Sequence, residues 1–169
     1  IVPYAAGGGS DFLARTLAAS VGTALGQSIT VENRGGGATI PATEMAARSA
    51  PDGYTVLSAD LTALVITPAM ARRLPYDPIR DFRPVAPIAR FPYVILVHPD
   101  VPARNAAELI ALARARPNTL NFGHAGIGTP NHLGTERLVR ATGIQIAQVS
   151  YRGGAPAATD LVAGVVQAL

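Results

Sequence analysis

Cysteine and lysine are both absent from this 169-residue chain, and aromatic side chains make up only 5% of it. The missing cysteine excludes disulfides and thiolate chemistry and leaves the redox compartment open. The missing lysine removes the Gly-Lys-Ser/Thr signature that a phosphate-cradling P-loop requires. Scarce aromatics leave few platforms on which nucleic-acid bases could stack. No apolar run approaches the roughly 18 residues of a membrane-spanning helix. No secretory leader is visible, but the first residues already read as a strand and no initiator Met precedes them. A processed or truncated start is therefore expected, so the missing leader carries little information about location.

What remains is apolar and basic. Hydrophobic residues reach 49% and the formal net charge is +3, with a mean hydropathy of +0.26 and an isoelectric point near 9.8. All 14 basic residues are Arg. The densest group, Arg72, Arg73, Arg80 and Arg83, is interleaved with Asp77 and Asp81. Nucleic-acid binders concentrate their charge on one face, so this scatter predicts a solvated surface and no nucleic-acid partner.

Glycine supplies the strongest local signal. Ile1-Val2-Pro3-Tyr4-Ala5-Ala6-Gly7-Gly8-Gly9-Ser10-Asp11 leads into a stretch with Phe12, Leu13, Leu17, Val21 and Leu25 at helical spacing. The order reads as strand, glycine loop, helix. A helix start leaves N–H groups unpaired and carries partial positive charge, which suits an anion that is either bound or transformed.

The same grammar recurs. Helix 11–25 should stop at Gly26. Residues 28–32 alternate like a strand, and a second loop, Asn33-Arg34-Gly35-Gly36-Gly37, leads to a helix over 41–49. After the Pro51-Asp52-Gly53 turn come a strand at 54–59 and a short helical piece within 62–73. Residues 85–89 and 93–98 read as strands. Asn105, with Glu108 three residues on, should cap a helix ending near 116. A short strand at 120–123 leads to the third loop, Gly126-Ile127-Gly128-Thr129. Thr129 is the candidate N-cap and Pro130 the first helical residue of a helix to about 142. A strand at 144–149, a fourth loop at Tyr151-Arg152-Gly153-Gly154 and a helix at 155–163 follow. Strands alternating with helices predict an α/β fold with mostly parallel sheets, whose ligands bind where strands end and helices begin.

Competing chemistries lack their residues. The first loop has no third glycine for a dinucleotide fingerprint. The three histidines show no metal-ligand spacing, and no cofactor is expected. Ser10, His132 and Asp160 could make a triad only without a nucleophile elbow. Asp11 reads either as a carboxylate matching the helix dipole or as a ligand contact. Arg34 and Arg152 each adjoin a glycine loop and are candidates for bidentate pairing with a carboxylate.

Six segments in order are similar to the substrate-binding proteins of tripartite tricarboxylate transporters, the Bug or TctC-type family. They are Val2-Pro3-Tyr4-Ala5-Ala6-Gly7-Gly8-Gly9-Ser10-Asp11; Val31-Glu32-Asn33-Arg34-Gly35-Gly36-Gly37; Pro51-Asp52-Gly53-Tyr54-Thr55; Leu74-Pro75-Tyr76-Asp77-Pro78; Gly126-Ile127-Gly128-Thr129; and Val149-Ser150-Tyr151-Arg152-Gly153-Gly154. The resemblance implies a type II-like, two-lobed periplasmic-binding-protein architecture without catalysis. It closes on a small organic carboxylate and delivers it to membrane permease subunits. On that basis lobe 1 is expected at residues 1–98 and lobe 2 at 99–169. The second lobe would be nearly complete, and the first would lack the C-terminal return that family chains, about twice as long, make.

The ligand residues the resemblance implies are Tyr4, Ala5, Gly7, Gly8, Ser10 and Asp11 facing His124, Ala125, Gly126, Gly128 and Thr129. Arg152 and Asp60 are added as candidates. Asp60 stands where the family commonly has small hydroxyl residues, so it would meet an amino group or repel a second carboxylate. His124-Ala125-Gly126-Ile127-Gly128-Thr129 departs from the family's common Ser-Ser-Gly-Asn-Gly-Thr, losing two hydroxyls and an amide. Exposed sheet edges make a homo-oligomer plausible. The alternative reading is a truncated, non-binding paralogue that acts as an interaction module.

Overall fold

Helices form where their end signals stand. In a computed structural model describing residues 1–169, α1 spans Gly9–Leu25 and ends on Gly26 in the left-handed region at φ 63°. A single 3-10 turn over Gly37–Thr39 feeds α2, Ile40–Ala47, with Pro41 in its first turn. A π-helical turn, Thr62–Ile66, runs directly into α3, Thr67–Met70. The next helix, α4 over Ala106–Ala115, is capped by Asn105, whose side chain accepts the Glu108 N–H at 3.0 Å. Glu108 in return accepts the Arg104 N–H at 2.7 Å, so two helix-start donors are satisfied reciprocally. Thr129 caps α5, Pro130–Thr142, and Gly153 precedes α6, Gly154–Val162.

Strands are fewer than the alternation predicts. β1, Asn121–His124, and β2, Ala147–Ser150, pair in parallel, with Asn121 opposite Ala147 and His124 opposite Ser150. α5 makes the crossover that a parallel pair needs. Residues 167–169 extend this sheet: Ala168 bridges Phe122 in parallel and Val97 antiparallel. Beneath it lies a core of Val101, Leu109, Ala113, Leu120, Phe122, Ile144 and Ala168.

The expected strands at 28–32, 54–59 and 85–89 do not form ladders. Extended backbone becomes a strand only where another backbone lies alongside, and here the pairing is reduced to single rungs. Val2 bridges Asn33, and Ile1 exchanges hydrogen bonds with Val56 at 2.7 Å and Ser58 at 2.9 Å. The 93–98 segment pairs only near its end, where Leu96 and His98 meet Leu169 and Gln167.

The apolar stripe of α1 is also not covered. Phe12 is 68% and Leu25 66% exposed, and only Asp11 and Gly22 of this helix are buried. The helical spacing does create the stripe, yet no element of the chain packs over it. An open groove of about 650 Å³ runs along this helix and residues 26–31. It contains none of the residues assigned to ligand binding.

Candidate ligand-binding cleft

Three backbone segments converge where the glycine loops meet. Gly35 sits at the junction: a Cβ there would lie 2.6 Å from the Arg152 carbonyl oxygen and 2.8 Å from the Ala5 nitrogen. Only glycine lets the backbones approach so closely. The Ala5 N–H donates to the Arg152 carbonyl at 3.2 Å, tying the first loop to the end of β2. Beside this junction is a cavity of about 500 Å³, lined by Pro3, Tyr4, Gly36, Gly37, Ala38, Thr39, Ala125, Gly126, Ile127, Thr129, Ser150, Tyr151 and Arg152. It is sheltered between the loops, unlike the larger groove on α1, and its size suits a small ligand.

The first loop is organised differently from expectation. Of its assigned residues Tyr4 lines the cavity, whereas Ala5, Gly7, Gly8, Ser10 and Asp11 do not. Gly7 and Gly8 instead back onto Ala155 and Gly154 at the start of α6. Asp11 is buried, and its Oδ2 accepts the Gly7 N–H at 2.8 Å and Arg15 Nε at 3.0 Å. These bonds, Arg15 first and the Gly7 amide next, hold its carboxyl down at about 2. Asp11 thus supplies the anion for its own helix start.

Asp60 stands behind the cavity wall. Tyr4 donates its phenol proton to Asp60 Oδ2 at 2.5 Å and lies 3.0 Å from Thr62 Oγ1. Burial above all, then the Asp60 charge, pushes the phenol far above its ordinary value and keeps it neutral. Asp60 Oδ1 also accepts the Ala63 N–H at 3.1 Å, so the same carboxylate fixes the π-helical turn.

On the opposite side Ala125, Gly126 and Thr129 line the cavity. His124 is buried just beneath, its Nδ1 accepting the Gly126 N–H at 3.3 Å. His132 Nδ1 accepts the Gly128 N–H at 3.4 Å, and the two rings lie 4.6 Å apart. Burial lowers the His124 pKa and favours the neutral ring that can accept. Gly128 itself packs on Met70 of α3 and Ile66 of the π-helical turn before it, and does not line the cavity. Thr129 donates its hydroxyl proton to the Gly126 carbonyl at 2.6 Å.

Arg152 lies along Gly36 and carries no ion pair or side-chain hydrogen bond, so it is the cleft's one free cation. Arg34 is not available, because Glu32 holds it at 2.5 Å. The imagined triad is not assembled. Asp160 accepts the Tyr151 hydroxyl at 2.6 Å, a bond that pushes the Tyr151 phenol up to about 12, and His132 serves Gly128.

Sequence reasoning missed the Gly36–Thr39 wall, together with Pro3, Ile127, Ser150 and Tyr151 as lining residues. The signal was present, since Asn33-Arg34-Gly35-Gly36-Gly37 repeats the strand, glycine loop, helix order of the first loop. Ala38 and Thr39 here adopt φ values of 50° and 68°. Such conformations cost on the order of 1–3 kcal/mol each. They are held by the Thr67 hydroxyl on the Ala38 carbonyl and the Thr43 hydroxyl on the Thr39 carbonyl, both at 2.8 Å.

The cleft between the glycine loops thus holds one unpaired cation, Arg152, beside the Ala125 to Thr129 loop. The family model described as tripartite tricarboxylate transporter family receptor matches residues 13–169. The chain belongs to that family, whose members are receptors and not enzymes. Among its relatives, BugT of Bordetella pertussis is 36% identical over 169 residues, covering 99% of this chain and 52% of BugT. A Pseudomonas protein, the UPF0065 protein in the tcbD-tcbE intergenic region, is 37% identical over 166 residues, covering 98% of this chain and 49% of its own. This chain therefore spans about half the length of these relatives.

Solved structures agree. A Rhodopseudomonas palustris protein determined with adipate superposes with a TM-score of 0.94 at 37% identity, over 99% of this chain and 56% of that one. MatC of the same organism, with bound malate, gives 0.89 at 32%, over 99% and 57%. Periplasmic binding protein BugD gives 0.84 at 31%, over 99% and 56%. The fold is thus the α/β fold of periplasmic binding proteins, present here as a partial chain.

Proposed function

We propose that this chain acts in a periplasmic solute receptor that captures a small organic carboxylate between lobes at residues 1–98 and 99–169 and presents it to the permease subunits of a tripartite transporter. The reading is carried chiefly by the unpaired Arg152 guanidinium in a cavity whose opposite loop keeps the Ala125 and Ile127 N–H groups without acceptors. A guanidinium with neutral amides holds a carboxylate through charge-assisted bonds. The adipate and malate bound by related proteins are consistent with this chemistry. Isothermal titration of the folded chain against small mono- and dicarboxylates should give heat with at least one acid. Arg152→Gln should weaken that binding by about 1.5–3 kcal/mol, the worth of a hydrogen bond to a charged group. No heat with any carboxylate would sink the reading.

One observation favours a second reading, that of a non-binding interaction module. Apolar side chains from Phe12 to Leu96 stay on the surface, which suits association with another chain. Light scattering over a concentration series separates the two. A ligand-competent monomer at micromolar concentration argues against the module.

A further inference from the structure

The Gly36–Thr39 wall offers hydrogen-bond donors and no free acceptors. The Gly36, Gly37 and Ala38 N–H groups belong to cavity-lining residues and find no acceptor in the chain. Thr39 is 2% exposed, and its hydroxyl has no hydrogen-bond partner. A threonine at a helix start ordinarily caps its own helix, but this one makes no such bond to α2. The carbonyls of the same residues are all occupied. Gly36 accepts the Thr39 N–H at 3.2 Å, and Gly37 accepts the Ile40 N–H. Ala38 and Thr39 accept the Thr67 and Thr43 hydroxyls, both at 2.8 Å. A buried hydroxyl without a partner costs free energy, and a bound acceptor removes that cost.

On the premise that the cleft binds a carboxylate, the number of donors separates this wall from Arg152. An ionised carboxylate accepts about four hydrogen bonds. The Arg152 fork supplies a parallel pair, and the free Ala125 and Ile127 N–H groups complete the set. The Gly36, Gly37 and Ala38 amides and the Thr39 hydroxyl therefore exceed what one acid group uses. We infer that the Gly36–Thr39 wall is a second acid-binding subsite, with Thr39 as its specificity-determining residue, so that the ligand is a dicarboxylate. A carboxylate suits a wall of donors because it only accepts. An amide or ammonium group at that end would meet no free carbonyl. Arg152 is the only charged residue lining the cavity. No second cation is needed, since successive backbone N–H groups in turn conformations bind anions by themselves.

The test titrates the 169-residue chain at neutral pH with succinate and adipate, each beside its half-amide and the monoacid of the same length. At the better-bound length the diacid should bind about tenfold or more tighter than the other two. Thr39→Val keeps the shape and branching but removes the hydroxyl. It should weaken the diacid about tenfold and leave the monoacid unchanged. Its melting temperature should not fall, because the hydroxyl holds nothing in the free protein. Thr39→Ser should keep the diacid preference. A half-amide or monoacid that binds as tightly as the diacid overturns the inference and leaves the carboxylate role standing. Unchanged diacid affinity in Thr39→Val, or an equal loss for diacid and monoacid, does the same. Absence of binding by every compound, on folded protein, removes both.

Discussion

The two stretches on either side of residue 98 are built from similar elements but are finished to different degrees. After residue 98 the sheet has β1 at its centre, flanked by β2 and residues 167–169, and helices bury Phe122, Leu109 and Ile144 against it. Before residue 98 the buried side chains are mostly small or polar, among them Ala42, Thr43, Thr62, Ala63 and Thr67. Of the large exposed apolar residues, all but Ile127, Leu133, Val162 and Val165 lie in the earlier stretch. Local rules act equally on both, since caps, turns and glycine loops form in each. Burial requires a partner surface, and only the later stretch has one within this chain.

Mutations at matched residue types would break or sharpen that contrast. Phe122→Ala should destabilise by about 3–5 kcal/mol, the usual cost of emptying a buried aromatic site, measured by denaturant unfolding. Gly35→Ala should come next, at about 1–3 kcal/mol. Its Cβ would press on the Arg152 carbonyl and the Ala5 nitrogen, so ligand affinity should fall together with stability.

Asp11→Asn should cost about 1–2 kcal/mol at neutral pH, because it removes the anion that the Gly7 amide and Arg15 share. The pH dependence has a definite sign. A carboxyl held at about 2 in the folded chain and near 3.8 when unfolded stabilises above the upper value. That contribution fades as pH falls from about 4 towards 2, and the Asn variant should show no such fade. Least of all, Phe12→Ser should change stability by no more than about 0.5 kcal/mol, as for an ordinary surface site. A loss of several kcal/mol there would mean that the α1 stripe is covered in solution and would dissolve the contrast.

Helix ends were the most legible part of the fold, because their signals are local. Gly26, the Asn105 and Glu108 pair, and Thr129 with Pro130 each specify a boundary within a few residues of themselves. The strands at 28–32 and 54–59 were not legible as unpaired, since a strand's partner lies far away in sequence. The same distance explains the site. Tyr4, Ala125, Gly126, Thr129 and Arg152 were placed on the cleft by motif. The Gly36–Thr39 wall was read as a loop and not assigned, although its glycines stood in plain view. Asp11 turned inward for a reason visible locally, four residues before Arg15 and four after Gly7. His124 and His132 meet only through the fold, so no spacing announced that they would tether the loop beside them.

Arg152 is joined to the first loop through its carbonyl and lies on the second loop through its side chain. The residue proposed to grip the ligand is therefore also tied at two points to the loops of residues 1–98. If the proposed lobes separate, those ties must break and the guanidinium must leave the loops of residues 1–98, so escape of the ligand and opening of the cleft should be a single event in time. A stopped-flow fluorescence trace of ligand loss should then share its rate constant with a distance reporter placed across the cleft.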